Sequence, residues 1–299
     1  MPVRLSRSRA LLVIPAVLAA ACDSVPLSGP TEPPMSAAKQ STTTSKMLVG
    51  RLGQVWIMND DGTGAVQLTF TETNDMPSWA PDGKRVLYSS QGSAPGIYSM
   101  NPDGTAVTRI TIPPAGSVDL QPVALGKRVA FRRDNGVTRT IYAVNIDGTG
   151  LIQLTRGPLD GEFGASPRGD KLAFASATGV SFGLDIYLLD VATGGITQLT
   201  YSPSLYKAGI SFSPDGKQIA FTRADPGVPE MIFVMKTDGT QVTRVSQTND
   251  YDFLPRWSPD GKRIGFTSFR AVPGVYSMLV NGTDVQFVSG PDFLWAWAR

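Results

Sequence analysis

One thirteen-residue phrase occurs three times almost unchanged: SWAPDGKRVLYSS at 78–90, SFSPDGKQIAFTR at 211–223 and RWSPDGKRIGFTS at 256–268. Two looser copies, QPVALGKRVAFRR at 121–133 and GASPRGDKLAFAS at 164–176, keep the same frame. A second phrase alternates with the first: WIMNDDGTGAVQLT, YSMNPDGTAVTRIT, YAVNIDGTGLIQLT, YLLDVATGGITQLT, FVMKTDGTQVTRVS and YSMLVNGTDVQFVS. Its closing residues, Thr69, Thr111, Thr155, Thr200, Ser246 and Ser289, recur every 42 to 46 residues. A period of that size means that one supersecondary unit is being stacked on itself.

The unit holds four short extended runs. Residues alternate apolar and polar in RIGFTS and VYSM, the period of a half-buried strand. Ser-Pro-Asp-Gly makes the turn between the first two strands: proline presets φ, aspartate bonds its own backbone and glycine takes the left-handed position. Asp-Gly-Thr does the same between the third and fourth. Four strands in about 40–45 residues is one blade of a β-propeller. Beyond the first two dozen residues no segment carries helical periodicity, so the expected class is all-β.

Six closing phrases stand against five opening ones. The missing strand is expected at the other end of the chain, where PDFLWAWAR aligns with YDFLPRWSP and sets Trp297 at the place of Trp257. The C-terminal strand should therefore close the N-terminal blade and give a six-bladed β-propeller with no open edge. Burying Trp295 or Trp297 would add about 4–6 kcal/mol at ~25 cal/mol/Å².

These phrases resemble the PD40, WD40-like repeats of the TolB-like six-bladed propellers, over Met47 to Arg299. The resemblance implies the fold. It implies less about function, because such blades also stand beside peptidase domains. The α/β domain that precedes the TolB propeller has no counterpart here, so a role in the Tol–Pal system is not carried over.

The N-terminus reads as an address. MPVRLSRSRALLVIPAVLAAAC has a basic head, an apolar run from Ala10 to Ala21 and then the chain's one cysteine, Cys22. About twelve apolar residues are too few to span a bilayer, which needs roughly 20, and suit an export signal. Leu18-Ala19-Ala20-Ala21-Cys22 resembles the bacterial lipobox, whose cysteine is lipidated. The expected organisation is a lipoprotein signal peptide at 1–21, a Ser/Thr/Pro-rich disordered tether at 22–46, and the propeller at 47–299. That places the protein in the bacterial cell envelope, periplasm-facing and membrane-anchored, and a monomer is expected.

Function should lie in what does not repeat. Propeller connectivity sends the Pro-Asp-Gly and Asp-Gly-Thr turns to one face. The loops joining strands two to three, and blade to blade, go to the other; these differ in every blade, and recognition sits on such loops. They carry Asp75, Asp119, Asp160, Asp252 and Asp292 ahead of the first strands, with Arg132, Arg133, Arg223 and Arg270 at the ends of the second. The aromatics Tyr201, Tyr206, Tyr251 and Phe253 lie in the same segments. A carboxylate ring with arginines outside it suits a basic segment, a cation or a polar ligand. The same aspartates also suit capping of strand-entry amides, and 21 of the 25 acidic residues are aspartate, as turn chemistry favours.

The chain has no histidine, which removes the usual general base and the usual zinc ligand. No catalytic residue is nominated, and no metal site or cofactor is expected. NDDGTG at 59–64 looks calcium-like but is a repeat turn. A formal charge of +2 gives no basic excess for nucleic acid. Two readings stand: a propeller that docks an envelope protein or peptide on its variable face, and a carbohydrate or other small-ligand site, hydrolytic or lytic, at the channel mouth.

Overall fold

The computed structural model describes residues 45–177, 183–201 and 206–298. Within them the alternating runs form six four-stranded antiparallel sheets. Blade II, for example, runs Asn74–Trp79, Val86–Ser90, Gly96–Met100 and Thr108–Arg109. Blades III to VI follow in sequence order, and blade I takes its inner strand from Phe293–Ala298, paired with Lys46–Arg51. The all-β six-bladed ring is as expected. So is its closure: Trp297 pairs with Met47 as Trp257 pairs with Ile264.

The seam departs from expectation in what it buries. Trp295 and Trp297 are only half-buried, because their positions face the central channel. Leu294 is the sealed residue, packed with Met47, Val49, Met58 and Val275 between blades VI and I. Full burial of a leucine is worth about 1.5–3 kcal/mol, and Trp297 packs against the same cluster beside the strand pairing.

Each repeated letter has a mechanical reason. The closing Thr69, Thr111, Thr155, Thr200 and Ser246 each accept, at the side-chain oxygen, the N–H of a residue in the third strand at 2.9–3.0 Å. This ties the short fourth strand to the sheet where ladder bonds run out. In the Asp-Gly-Thr turns Asp61, Asp103, Asp147 and Asp238 accept both the N–H and the hydroxyl of the following threonine, at 2.6–2.9 Å. Gly62, at φ 83°, is required twice over: a Cβ there would lie 2.0 Å from the Val288 carbonyl oxygen of the neighbouring blade.

The inner strands bend as they pass the axis. Every one carries a bulge. In three of them a non-glycine residue immediately before a proline sits in the left-handed region: Met76, Gln121 and Leu254, at φ 53–54°. Such a residue costs on the order of 1–3 kcal/mol, which interblade packing offsets.

Candidate functional site

The bulges decide which side chain stands at the head of each inner strand. Counting through the pairing, the equivalent residues are Asn74, Asp119, Asp160, Lys207, Asp252 and Asp292. All six are buried. Asp75 is therefore one residue out of the ring: Asn74 holds the slot and donates to the Thr71 carbonyl at 2.5 Å. Blade V places a lysine where the others place an acid or amide. Lys207 donates to the Leu184 carbonyl and to Asp185, both at 3.0 Å.

The ring carboxylates are fully engaged within the chain. Arg133 donates to Asp119 through two nitrogens at 2.6 and 2.8 Å, and Arg51 to Asp292 at 2.5 and 2.8 Å. Asp252 accepts from Ser268 at 2.6 Å and from Arg270 at 3.0 Å. Asp160 accepts from Ser176 at 2.8 Å and from Thr155. Burial pushes the carboxyls of Asp160 and Asp252 up, against the pull of those bonds. The arginines are used twice: Arg270 lies 4.3 Å from the ring centre of Tyr276, Arg133 5.1 Å from Tyr142, and Arg223 4.9 Å from Phe233 while pairing with Asp225. Each is a stacked arginine clamp locking loops to strands.

Asp75 packs toward blade I instead. A Cβ added to Gly50 would lie 2.7 Å from its Oδ1 and 3.0 Å from Trp295 Nε1. Its carboxylate accepts the Met76 N–H at 2.7 Å, and burial raises its pKa.

Two glutamates escaped the sequence reading. Glu162 and Glu230 lie near Tyr206 and Arg132, where blades III, IV and V meet at the variable end. Burial raises the Glu230 carboxyl, with Glu162's charge adding to it. Burial likewise raises the Tyr206 phenol, and both glutamates contribute. Arg132 Nε is buried with no hydrogen-bond partner among the described residues, and burial lowers this guanidinium's pKa with Glu162 opposing. In a chain with four glutamates, a residue that makes no turn is itself a signal.

The exposed apolar residues sort by face. Val66, Val107, Ile196, Val242 and Val285 follow the Asp-Gly-Thr turns or their equivalents on the outer strands, so they belong to the repeat. Leu52, Phe70, Ile112, Tyr201, Tyr251 and Phe269 lie on variable-face loops; Phe70, Ile112 and Tyr201 each directly follow a closing threonine, a position held by Arg156 and Gln247 in blades III and V. Phe269 joins Phe253 and Phe293, with ring centres 5.2–6.2 Å apart, at the seam between blades VI and I. Tyr251 is exposed beside them in sequence, whereas Tyr206 is half-buried. Cys22 lies outside the described residues.

No group of three or more acidic or cysteine side chains among the described residues is placed to hold a metal ion. No helix among them is long and apolar enough to cross a membrane.

Known proteins share this architecture. The chain is 33% identical over 195 residues to a TolB homolog of Chlorobium luteolum, covering 62% of this chain and 42% of that protein. It is 26% identical over 272 residues to dipeptidyl-peptidase 5 of Porphyromonas gingivalis, covering 71% of this chain and 40% of the peptidase. The chain thus spans less than half the length of either relative. The crystal structure of TolB from Acinetobacter baumannii superposes with a TM-score of 0.72 at 21% identity, over 85% of this chain and 66% of that one, which is a likeness of fold. The family described as the TolB beta propeller domain, PD40, matches residues 36–185 and 165–294, and the chain belongs to that family.

Proposed function

We propose that this propeller is an envelope docking module that binds a protein or peptide partner on its variable-loop face. One observation carries the reading: that face holds large apolar side chains in water which the fold does not use. Leu52 is 96% exposed at the tip of the 51–54 turn, and it sits there at φ 51°, a conformation glycine or asparagine would take at less cost. Phe70 and Tyr201, at 73% and 75% exposed, stand on two further loops of the same face. Aromatic and aliphatic anchors on a rigid base are what interface cores are made of.

The nominated charges then take a supporting place. Asp119, Asp160, Asp252 and Asp292 with Arg223 and Arg270 hold the loops in shape, Asp75 packs against blade I, and Arg132 and Tyr206 belong to the buried group around Glu162. Tyr251 and Phe269 make contact. The first described residues lie at the repeated-turn end, where Lys46 pairs with Ala298 and Ser45 accepts from Trp297 Nε1 at 2.9 Å. An anchor at Cys22 would hold the propeller at the membrane surface. Cys22→Ser should then move the protein to the soluble envelope fraction.

The test is site-specific photocrosslinking of the full chain in cells. A benzophenone residue at Phe269 or Leu52 should trap a discrete partner band that one at Asp103, on the repeated-turn face, does not. Equal bands from both faces would end the proposal. The small-ligand reading draws on the Glu162–Glu230–Tyr206 group, which suits carbohydrate hydroxyls.

A further inference from the structure

The central channel is not uniform along its axis. A cavity of ≈ 410 Å³ extends from the level of Met76 and Gln121 to Pro214 and Pro259 of the repeated turns. It is thus built from repeat positions and runs toward the repeated-turn face, away from the variable loops. Its walls are aromatic: Trp79, Phe163, Phe212, Trp257, Trp295 and Trp297. Its volume is that of a small organic ligand's site.

One charged residue lines it, Arg256, and among the described residues no acid does. Arg256 stands level with Ser78, Val123, Gly164, Ser211 and Ala296 of the other blades, where only small or uncharged side chains occur. Its Nε donates to the Trp295 carbonyl at 2.5 Å and its Nη1 to the carbonyls of Pro255 at 2.8 Å and Gly209 at 3.4 Å. Nη2 donates to no group among the described residues. The acid whose charge acts on it is Glu162, which accepts the Gly209 N–H at 2.8 Å and lies outside the cavity lining. Burial brings the guanidinium down to about 10, so it stays cationic at neutral pH. Buried arginines are ordinarily paired with a carboxylate; this one is held by three backbone carbonyls and keeps one nitrogen in reserve. The indole N–H groups of Trp79 and Trp257, the Ser78 hydroxyl and the Gln121 side-chain carbonyl lack partners among the described residues but are sealed from solvent, so Arg256 is the charged donor the cavity offers.

We propose that this cavity binds a small aromatic monocarboxylate, its ring between the tryptophans and its carboxylate on Arg256 Nη2. A single guanidinium matches a single negative charge, and a phosphate dianion would leave one charge without a partner. The site is separate from the docking face and does not depend on it.

The probe is indole-3-acetate against its uncharged isostere indole-3-acetamide, titrated calorimetrically into the full chain in detergent. The acid should bind at least about tenfold more tightly than the amide. Ser211→Asp supplies a competing carboxylate at the level of Arg256 and leaves that residue and its carbonyl partners in place. It should abolish the preference by weakening the acid about tenfold while leaving the amide unchanged. Equal affinities for acid and amide, no binding of either at about 1 mM, or an unaltered preference in Ser211→Asp would each overturn the assignment.

Discussion

The two faces of the ring spend the same amino acid in opposite ways. On the repeated-turn face Asp61, Asp103, Asp147 and Asp238 are solvent-facing and accept hydrogen bonds from the next threonine, which hold their carboxyls below the usual range. On the variable face Asp75, Asp160 and Asp252 are sequestered, and burial holds theirs above it. A sequence count of aspartates merges the two populations. The difference teaches that loop variety here rests on buried ionic joints, while the uniform face rests on local turns.

The contrast can be broken in several places. Stopping the chain after Asp292 removes the inner strand of blade I and exposes the edge of Lys46–Arg51; the cooperative thermal transition should disappear by calorimetry. Asp119→Asn leaves Arg133 without its acid at a site where the aspartate side chain is fully buried, and should cost about 3–5 kcal/mol in denaturant unfolding. Survival of Asp119→Asn with unchanged stability would show that the variable-face joints are dispensable. Asp61→Ala, in a solvated turn, should lower Tm by no more than about 2 °C.

Acid separates the faces by sign. A carboxyl whose folded pKa is lowered, such as Asp61, contributes stability above its unfolded value near ~3.9 and loses it as pH falls through the folded value. A carboxyl whose folded pKa is raised, such as Asp75, contributes only when protonated: its contribution is complete below ~3.9 and lost as pH rises through the folded value. Asp75→Asn should therefore match the parent at pH 3 and equal or exceed it in Tm at pH 7, whereas Asp61→Ala should be weaker at pH 7 and converge with the parent at low pH. The smallest effect on stability belongs to Tyr251→Ala, whose side chain is exposed and outside the Phe253–Phe269–Phe293 cluster: Tm within about 1 °C, with the crosslinked band weakened.

The fold was legible because each turn motif states its own geometry and the period counts the blades. Closure followed from one unmatched strand. The site was less legible, and Asp75 shows why. Loop lengths vary between blades, so aligning on the acid nearest the strand picks Asp75, whereas counting five residues back from Trp79, Trp257 and Trp297 picks Asn74, Asp252 and Asp292. The same count reaches Lys207, five before Phe212. Partnerships such as Arg51 with Asp292, 241 residues apart, are set by the closed ring and leave no local trace. The unpaired state of Arg256 is equally invisible in RWSPDG, since serine, valine, glycine and alanine hold that position elsewhere.

Joining the last strand to the first has a consequence for biogenesis. Blade I cannot be completed until Phe293–Ala298 has been synthesised, so a shorter product of translation leaves one edge of Lys46–Arg51 unpaired. A chain interrupted before that last strand presents an open edge, the template on which sheets of separate molecules join.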